Sequence, residues 1–322
     1  MKNDIPKLVL LDSSAIIHRA YHGLPPLTTH DGVLVNAVYG FATTLFKVLE
    51  EFKPKYIAAC FDVKGPTVRH HEFKEYKAHR PAPPDDLIKQ FQYVREVCKV
   101  LNIPVISLQG YEADDVIGTI TRKIQDTRYK IQTIIVTGDM DALQLVNENV
   151  EVYSMSRGIK KAEIYNISAV KEKYGFMPNQ LVDYKALRGD PSDNIPGVPG
   201  IGEKTATTLI QNFQNIENLY EQISRYKIQD TKKSQFSKNQ IPNQPLSPKT
   251  FDLLLKFKDQ AFLSKKLATI IKNVPIDFKL SDALTHDYDK REAEKLFRKL
   301  EFKSLIARLP HEHKNHSQSS LF

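Results

Sequence analysis

Acidic side chains are the chemistry-bearing residues of this 322-residue sequence, and they fall at the ends of its short apolar runs. The run 8–11 ends at Asp12, and the run 56–61 ends at Asp62. The run 105–108 is followed by Glu112, Asp114 and Asp115, and the run 131–136 by Asp139 and Asp141. Taken singly, each acid has a plainer role, because Asp caps helix N-termini and the helix dipole favours acids in the first turn. Brought to one place, they repel one another and raise each other's pKa values. Divalent cations remove that cost. Ligation by oxygen alone suits Mg²⁺ or Mn²⁺. A pair of such ions, about 3.5–4 Å apart, is the recurring arrangement for hydrolysing phosphodiesters. A later pair, Asp190 and Asp193, reads alone as an Asp/Pro/Ser turn.

The elements that would gather these acids are legible in the hydrophobic pattern. The apolar runs above, with another at 150–153, read as strands. Helix-period segments lie between them: 36–52 carries Val38, Phe41, Ala42, Leu45, Val48 and Leu49, and 87–101 carries Leu87, Phe91, Val94, Val97, Cys98 and Leu101. Alternating strands and helices predict a mostly parallel sheet with helices on both faces. Ligands bind outside the carboxyl ends of such strands, which is where the acids stand. From about residue 181 the pattern is helical, with Gly/Pro turns and no convincing strand. Residues 228–249 are polar and read as a loop. An amphipathic stretch at 290–309 breaks near Glu301, and a polar tail follows at 311–322.

Two further segments point to a nucleic acid. Directly after Asp193, Ile195-Pro196-Gly197-Val198-Pro199-Gly200-Ile201-Gly202-Glu203-Lys204 precedes a helix at 205–213. Glycine lets backbone approach a ligand, and a helix N-terminus offers free N–H groups to phosphate. The spacing is not that of a Walker loop. It reads as a helix–hairpin–helix at 194–213 that grips a nucleic-acid backbone without reading sequence. The stretch 69–80 holds Arg69, Lys74, Lys77 and Arg80. If helical, it alternates Arg69, Phe73, Tyr76 and Arg80 on one face, which suits phosphates and stacked bases of a single strand. Residues 64–84 are therefore a candidate arch beside the cleft. Arg19 and His22 follow Asp12 at the same edge.

Composition sets the outer limits. Apolar residues make up 41% and charged residues 26%, which are globular values, and the formal net charge is +8, which favours a polyanionic partner. Cys60 and Cys98 are too few for a disulfide framework or a Cys-type zinc site. No run approaches the roughly 18 apolar residues of a spanning helix. A soluble cytoplasmic protein is expected, with no membrane partner.

The motifs Leu11-Asp12-Ser13-Ser14 with Arg19-Ala20-Tyr21-His22, Phe61-Asp62-Val63-Lys64-Gly65, Tyr76-Lys77-Ala78-His79-Arg80-Pro81, Glu112-Ala113-Asp114-Asp115, Thr137-Gly138-Asp139-Met140-Asp141 and Gly189-Asp190-Pro191-Ser192-Asp193-Asn194 occur in that order. Together they resemble the 5′→3′ exonuclease domain of bacterial DNA polymerase I, among the structure-specific 5′ nucleases or flap endonucleases. The resemblance covers about residues 7–302. It implies an α/β fold: a PIN-like catalytic domain over 1–180, then a helical helix–hairpin–helix-type module over 181–310. It implies two divalent cations (Mg²⁺ or Mn²⁺) held by Asp12, Asp62, Glu112, Asp114, Asp115, Asp139, Asp141, Asp190 and Asp193. Arg19, Tyr76, Lys77 and Arg80 match positions that engage the scissile strand. Arg69 and Lys74, with Gly197, Gly200, Gly202 and Lys204 of the hairpin, would contact DNA, with K⁺ at the hairpin.

The expected activity is metal-dependent hydrolysis at 5′ flaps, nicks and RNA-primed ends in replication and repair, leaving a 5′-phosphate. A monomer associated with the bacterial nucleoid is expected. The resemblance does not extend to the polymerase and proofreading domains of a full DNA polymerase I, which fits either a stand-alone nuclease or a fragment. The terminal Gln318-Ser319-Ser320-Leu321-Phe322 resembles peptides that dock on bacterial sliding clamps. Two other classes fit parts of the pattern: a PIN-type endoribonuclease, which the acids alone permit, and a non-catalytic DNA-binding protein, whose mark would be lost metal acids.

Overall fold

The computed structural model describes residues 5–155, 162–230, 246–285 and 288–310. The strands are β1 (Lys7–Asp12), β2 (Tyr56–Cys60), β3 (Val105–Ile106), β4 (Gln132–Thr137), β5 (Val150–Ser154) and β6 (Glu163–Tyr165). They form one sheet in the order β3-β2-β1-β4-β5-β6. All neighbours pair in parallel except β6, which runs antiparallel to β5. The sequence of β1 shows why it lies at the centre. Leu8 and Leu10 join an apolar cluster with Ala58, Cys60 and Ile135, while Val9 and Leu11 join another with Ile57, Ala59, Ile134 and Val136. A strand covered on both faces needs an unbroken apolar run, and β1 has one. The chain runs from β1 outward to β2 and β3 and then crosses back from β3 to β4 on the other side of β1, so strand order reverses beside the carboxyl end of β1.

Helices α1 (Ser13–Gly23), α2 (Asn36–Phe52), α3 (Val68–Glu72) and α4 (Asp85–Val100) precede β3. Helix α5 (Ala113–Gln125) follows it, and α6 (Ile167–Tyr174) follows β6. The apolar stripes of α2 and α4 cover the Val9 face, and that of α5 covers the Leu8 face. The second half contains α7 (Leu181–Arg188), α8 (Glu203–Phe213), α9 (Ile216–Asp230), α10 (Pro248–Lys256), α11 (Lys258–Ala268), α12 (Lys290–Lys299) and α13 (Lys303–Ile306).

The cores do not divide at residue 180. Leu187, Ile210 and Leu219 of the helical half belong to the same apolar cluster as Val116 and Ile117 of α5. The last two helices, expected with the helical module, return to the first half, where Phe297 stacks on Phe46 of α2 with ring centroids 5.7 Å apart. The break expected near Glu301 is a left-handed residue (φ 59°) between α12 and α13.

Three expectations differ in detail. The run 105–108 yields only a two-residue strand, and β6 is too short to show a period-2 pattern. The stretch 69–80 is not one helix: α3 ends at Glu72, and Lys77 takes a left-handed backbone (φ 53°). The expected loop 228–249 is entered by α9 and left by α10, whose Ser247 cap accepts from the Thr250 N–H at 3.1 Å. Residues 231–245 and the tail 311–322, with Gln318, Leu321 and Phe322, lie outside the described residues.

Candidate metal centre and nucleic-acid interface

Asp12 ends β1 and caps α1. Its Oδ1 accepts from the Ala15 N–H (3.0 Å) and its Oδ2 from the Thr137 hydroxyl of β4 (2.6 Å). The same hydroxyl oxygen accepts from the Asp139 N–H, and Asp139 Oδ1 accepts from the Asp141 N–H, both at 2.9 Å. Asp62, two residues past β2, accepts from the Ala113 N–H at the start of α5 (2.8 Å). Asp114 follows in the first turn of that helix, and its Oδ1 is buried with no hydrogen-bond partner. Strand ends and one helix start thus deliver Asp12, Asp62, Asp114, Asp139 and Asp141 to one edge.

Their electrostatics follow from that crowding. Burial, then the charge of Asp62, raises the Asp12 carboxyl to about 7. Burial, then Asp139, raises Asp141 to about 7 against the pull of Lys185. Burial, then Asp12, Asp139 and Asp141, pushes Asp114 well above the carboxylate range. Among the described residues, Asp12, Asp62, Asp114 and Asp139 form no ion pair with a basic side chain.

A second set of acids is already compensated. Glu112 accepts from Lys77 Nζ at 2.8 Å and from the Tyr76 hydroxyl at 3.2 Å. Burial works to raise its pKa, but Lys77 and Arg69 outweigh that and hold it low. Asp193 pairs with Arg80 at 2.5 Å and accepts from the Tyr76 hydroxyl at 3.1 Å. Lys185 bridges Asp141 and Asp190, at 2.5 Å from the latter. Burial opposes ionisation of Asp190, yet Lys185 and Ser192 bring its carboxyl down to about 2.

Among the described residues no group of three or more His, Cys, Asp or Glu side chains is arranged ready to hold a metal ion. The donor set nonetheless fits hard divalent cations. It offers only carboxylate oxygens, one of them buried and unpartnered, in surroundings that charge compensation would relieve. Beside it opens a cleft of about 620 Å³, lined by Arg19, Arg80, Lys185 and Arg188 together with Asp139, Asp141 and Asp190. Gly138 lets the chain pass close under Arg19, since a Cβ there would lie 3.3 Å from Arg19 Cδ.

Several sequence expectations are corrected. Asp115 is not among the clustered acids: it is fully buried and turned to Arg69, which grips both its oxygens at 2.7 and 2.8 Å. Its oxygens also accept from the N–H groups of Ile271 (2.8 Å) and Glu112 (3.2 Å), so no acceptor site is left for a cation. Arg69, 5% exposed, is consequently unable to meet a DNA phosphate. Tyr76 is 2% exposed, packed with Ile195, Leu267 and Ala268, so its ring is not a stacking surface. The alternating face fails because the helix stops before either Tyr76 or Arg80. In the hairpin, Gly197 is buried: a Cβ would meet Gly189 N at 2.2 Å, its N–H donates to Ser264 Oγ and its carbonyl accepts from Gln260. Lys74, Gly200, Gly202 and Lys204 are exposed.

Lys185 is the residue that motif reasoning passed over. It lies four residues after Leu181 on the buried face of α7, and a lysine at an apolar-face position is the signal that could have found it. Thr137 and Ser192 were missed because hydroxyls beside acids carry no pattern.

The geometry defines an α/β fold with a cluster of carboxylates at the sheet's switch point. Residues 7–175 match the 5′-3′ exonuclease N-terminal resolvase-like domain, and residues 176–291 match the 5′-3′ exonuclease C-terminal SAM fold. The chain belongs to the 5′-3′ exonuclease family, nucleases that hydrolyse phosphodiester bonds. It is 42% identical over 305 residues to DNA polymerase I of Caldicellulosiruptor bescii, covering 94% of this chain and 33% of that protein. With DNA polymerase I of Bacillus subtilis it shares 39% over 303 residues, covering 94% and 32%. The chain thus spans about a third of the length of these curated relatives.

Among solved structures, the T5 D15 protein co-crystallised with metal ions superposes with a TM-score of 0.64 at 19% identity, covering 92% of this chain and 98% of that one. The catalytic core of Rad2 in complex with DNA substrate gives 0.62 at 18%, covering 95% and 93%. These two likenesses bear on the fold. No helix among the described residues is long and apolar enough to cross a membrane.

Proposed function

We propose that this chain cuts DNA at 5′ flaps, nicks and primer ends as a divalent-metal-dependent 5′→3′ exonuclease and flap endonuclease. The observation that carries the reading is the cluster of carboxylates without cationic partners, Asp12, Asp62, Asp114 and Asp139, of which Asp12 is buried and Asp114 has its Oδ1 buried and unpaired. Asp12, Asp62, Asp114, Asp139 and Asp141 would hold the cations, with Glu112, Asp190 and Asp193 completing the set once their basic partners let go. Bound there, Mg²⁺ or Mn²⁺ lowers the pKa of an attacking water and stabilises charge on the phosphoryl and leaving oxygens.

The chain's own residues bind and orient the strand. Arg19, Arg80 and Arg188 line the cleft and attract phosphates. Lys77 and Lys185 hold Glu112, Asp141 and Asp190 in place, and would be free to meet phosphate if cations compensated those carboxylates. Gly200, Gly202 and Lys204, exposed at the start of α8, offer backbone N–H groups and charge to a duplex, with a K⁺ ion at the turn. Binding should read phosphate rather than base edges and weaken steeply with salt. The chain would act as a monomer, in the cytoplasm of a bacterium, and its Gln318–Phe322 peptide would engage a sliding clamp.

The test is cleavage of a 5′-labelled flap duplex in Mg²⁺ or EDTA by wild type and Asp139→Ala. Release of the flap by wild type in Mg²⁺ alone is expected. Binding without cutting would leave a non-catalytic DNA-binding protein, and preferential cutting of competing RNA would make it an endoribonuclease.

A further inference from the structure

We infer that Arg69 is a positioning residue: its buried guanidinium is the joint that holds the arch, the acid-bearing start of α5 and the end of α11 in one register. The inference rests on the proposed nuclease reading for its activity arm. Arg69 lies in α3, at the base of the arch. Its two terminal nitrogens take both oxygens of Asp115 at 2.7 and 2.8 Å. Its Nε donates to the Leu267 carbonyl (2.9 Å) and one terminal nitrogen to the Thr269 carbonyl (2.8 Å), the last carbonyls around the end of α11.

A guanidinium has a fixed planar fork, so meeting a carboxylate and two carbonyls together fixes the angle between the three segments. Lysine cannot reproduce this. Asp115 transmits the constraint, since it also accepts from the Glu112 N–H and stands beside Asp114. The arch has a second anchor on the turn that carries Asp193, where the Lys77 N–H donates to the Asp193 carbonyl (2.9 Å) and the Asn194 amide donates to the Glu75 carbonyl (2.6 Å). The strand-engaging segment is thus pinned to both acid-bearing turns, and Arg69 is the pin at the α5 end. Its charge serves Asp115 and, at 3.8 Å, Glu112 rather than substrate.

The experiment compares wild type with Arg69→Lys and the double variant Arg69→Met/Asp115→Leu, which leaves no unpaired buried charge. Steady-state flap cleavage in Mg²⁺ is read alongside amide exchange without metal or DNA. For Arg69→Lys the expected result is a kcat at least tenfold lower, KM within threefold of wild type, and faster exchange in both 67–80 and 112–117. The double variant should fold and show the same kcat loss. Wild-type kcat and exchange in Arg69→Lys would overturn the inference. So would a double variant with normal kcat, or exchange rising uniformly across the sheet, which marks a merely structural role. If wild type itself cuts no flap, the nuclease reading fails while the exchange comparison still decides the joint.

Discussion

Burial and mutual repulsion set the proton affinity of the acids before any cation arrives. Asp12 and Asp141 are raised from the usual 3.8 to about 7, so between those values the folded chain holds more protons than the unfolded one. Stability from these groups is therefore present at low pH and lost as pH rises towards 7. In EDTA the melting temperature should fall between pH 5 and pH 8, and Mg²⁺ should restore it at pH 8 far more than at pH 5, as scanning calorimetry would register. A Tm in EDTA that climbs over this range would contradict the assignment. Asp114→Asn replaces a carboxyl whose ionisation burial and the neighbouring Asp12, Asp139 and Asp141 oppose, and should raise Tm in EDTA at pH 8 by a few degrees. The same change should cut cleavage by roughly 100-fold or more, since a metal's share of transition-state stabilisation is several kcal/mol. Lys185 has the opposite sign. Lys185→Met leaves Asp141 and Asp190 uncompensated, which should cost about 3–5 kcal/mol in EDTA by urea unfolding. Saturating Mg²⁺ should recover most of that loss if the carboxylates take cations.

The hairpin between α7 and α8 separates two uses of glycine. Gly197 has φ 61° and no room for a Cβ, whereas Gly202 has φ −90° and nothing within 4 Å of a built Cβ. Gly197→Ala should destabilise the fold by about 2 kcal/mol or more, through strain and a backbone clash. Gly202→Ala should leave Tm unchanged and weaken nicked-duplex binding only if backbone comes close to phosphate there, which fluorescence anisotropy would measure. These two glycines were equal in the sequence, because spacing does not say which chain crosses which. The same limit explains the other misses. The central strands and α2 were legible because burial on both faces writes long apolar runs, and the acids were legible because each follows such a run. Arg69 and Asp115 were misassigned because a buried ion pair between segments 46 residues apart carries no local signal. The helix expected over 69–80 was misread because α3 already stops at Glu72 and Lys77 takes a left-handed backbone, at positions whose side chains announce neither.

At the scale of the whole molecule, the sheet is shared by two cores rather than owned by one domain. One apolar cluster runs from the Leu8 face through α5 into α7, α8 and α9, and the other runs from the Val9 face through α2 and α4 to α12. Since alternate residues of β1 enter the two clusters, loosening one removes support from the strand that carries Asp12. Phe297 is a lever on this second core from α12: it is fully buried, stacked on Phe46 and edge-on to Phe302 at 6.0 Å. Phe297→Ala should cost about 3–5 kcal/mol. Amide exchange should show α2, α4 and the central strands losing protection together, with α5 and α8 following by a similar factor. Loss confined to α12 and α13 would instead mean that these helices dock on a core that stands without them. In the first outcome, flap cleavage in Mg²⁺ should keep its KM while the active fraction falls with temperature, because the variant alters how often the acid-bearing strand ends are assembled and touches none of the groups that meet DNA.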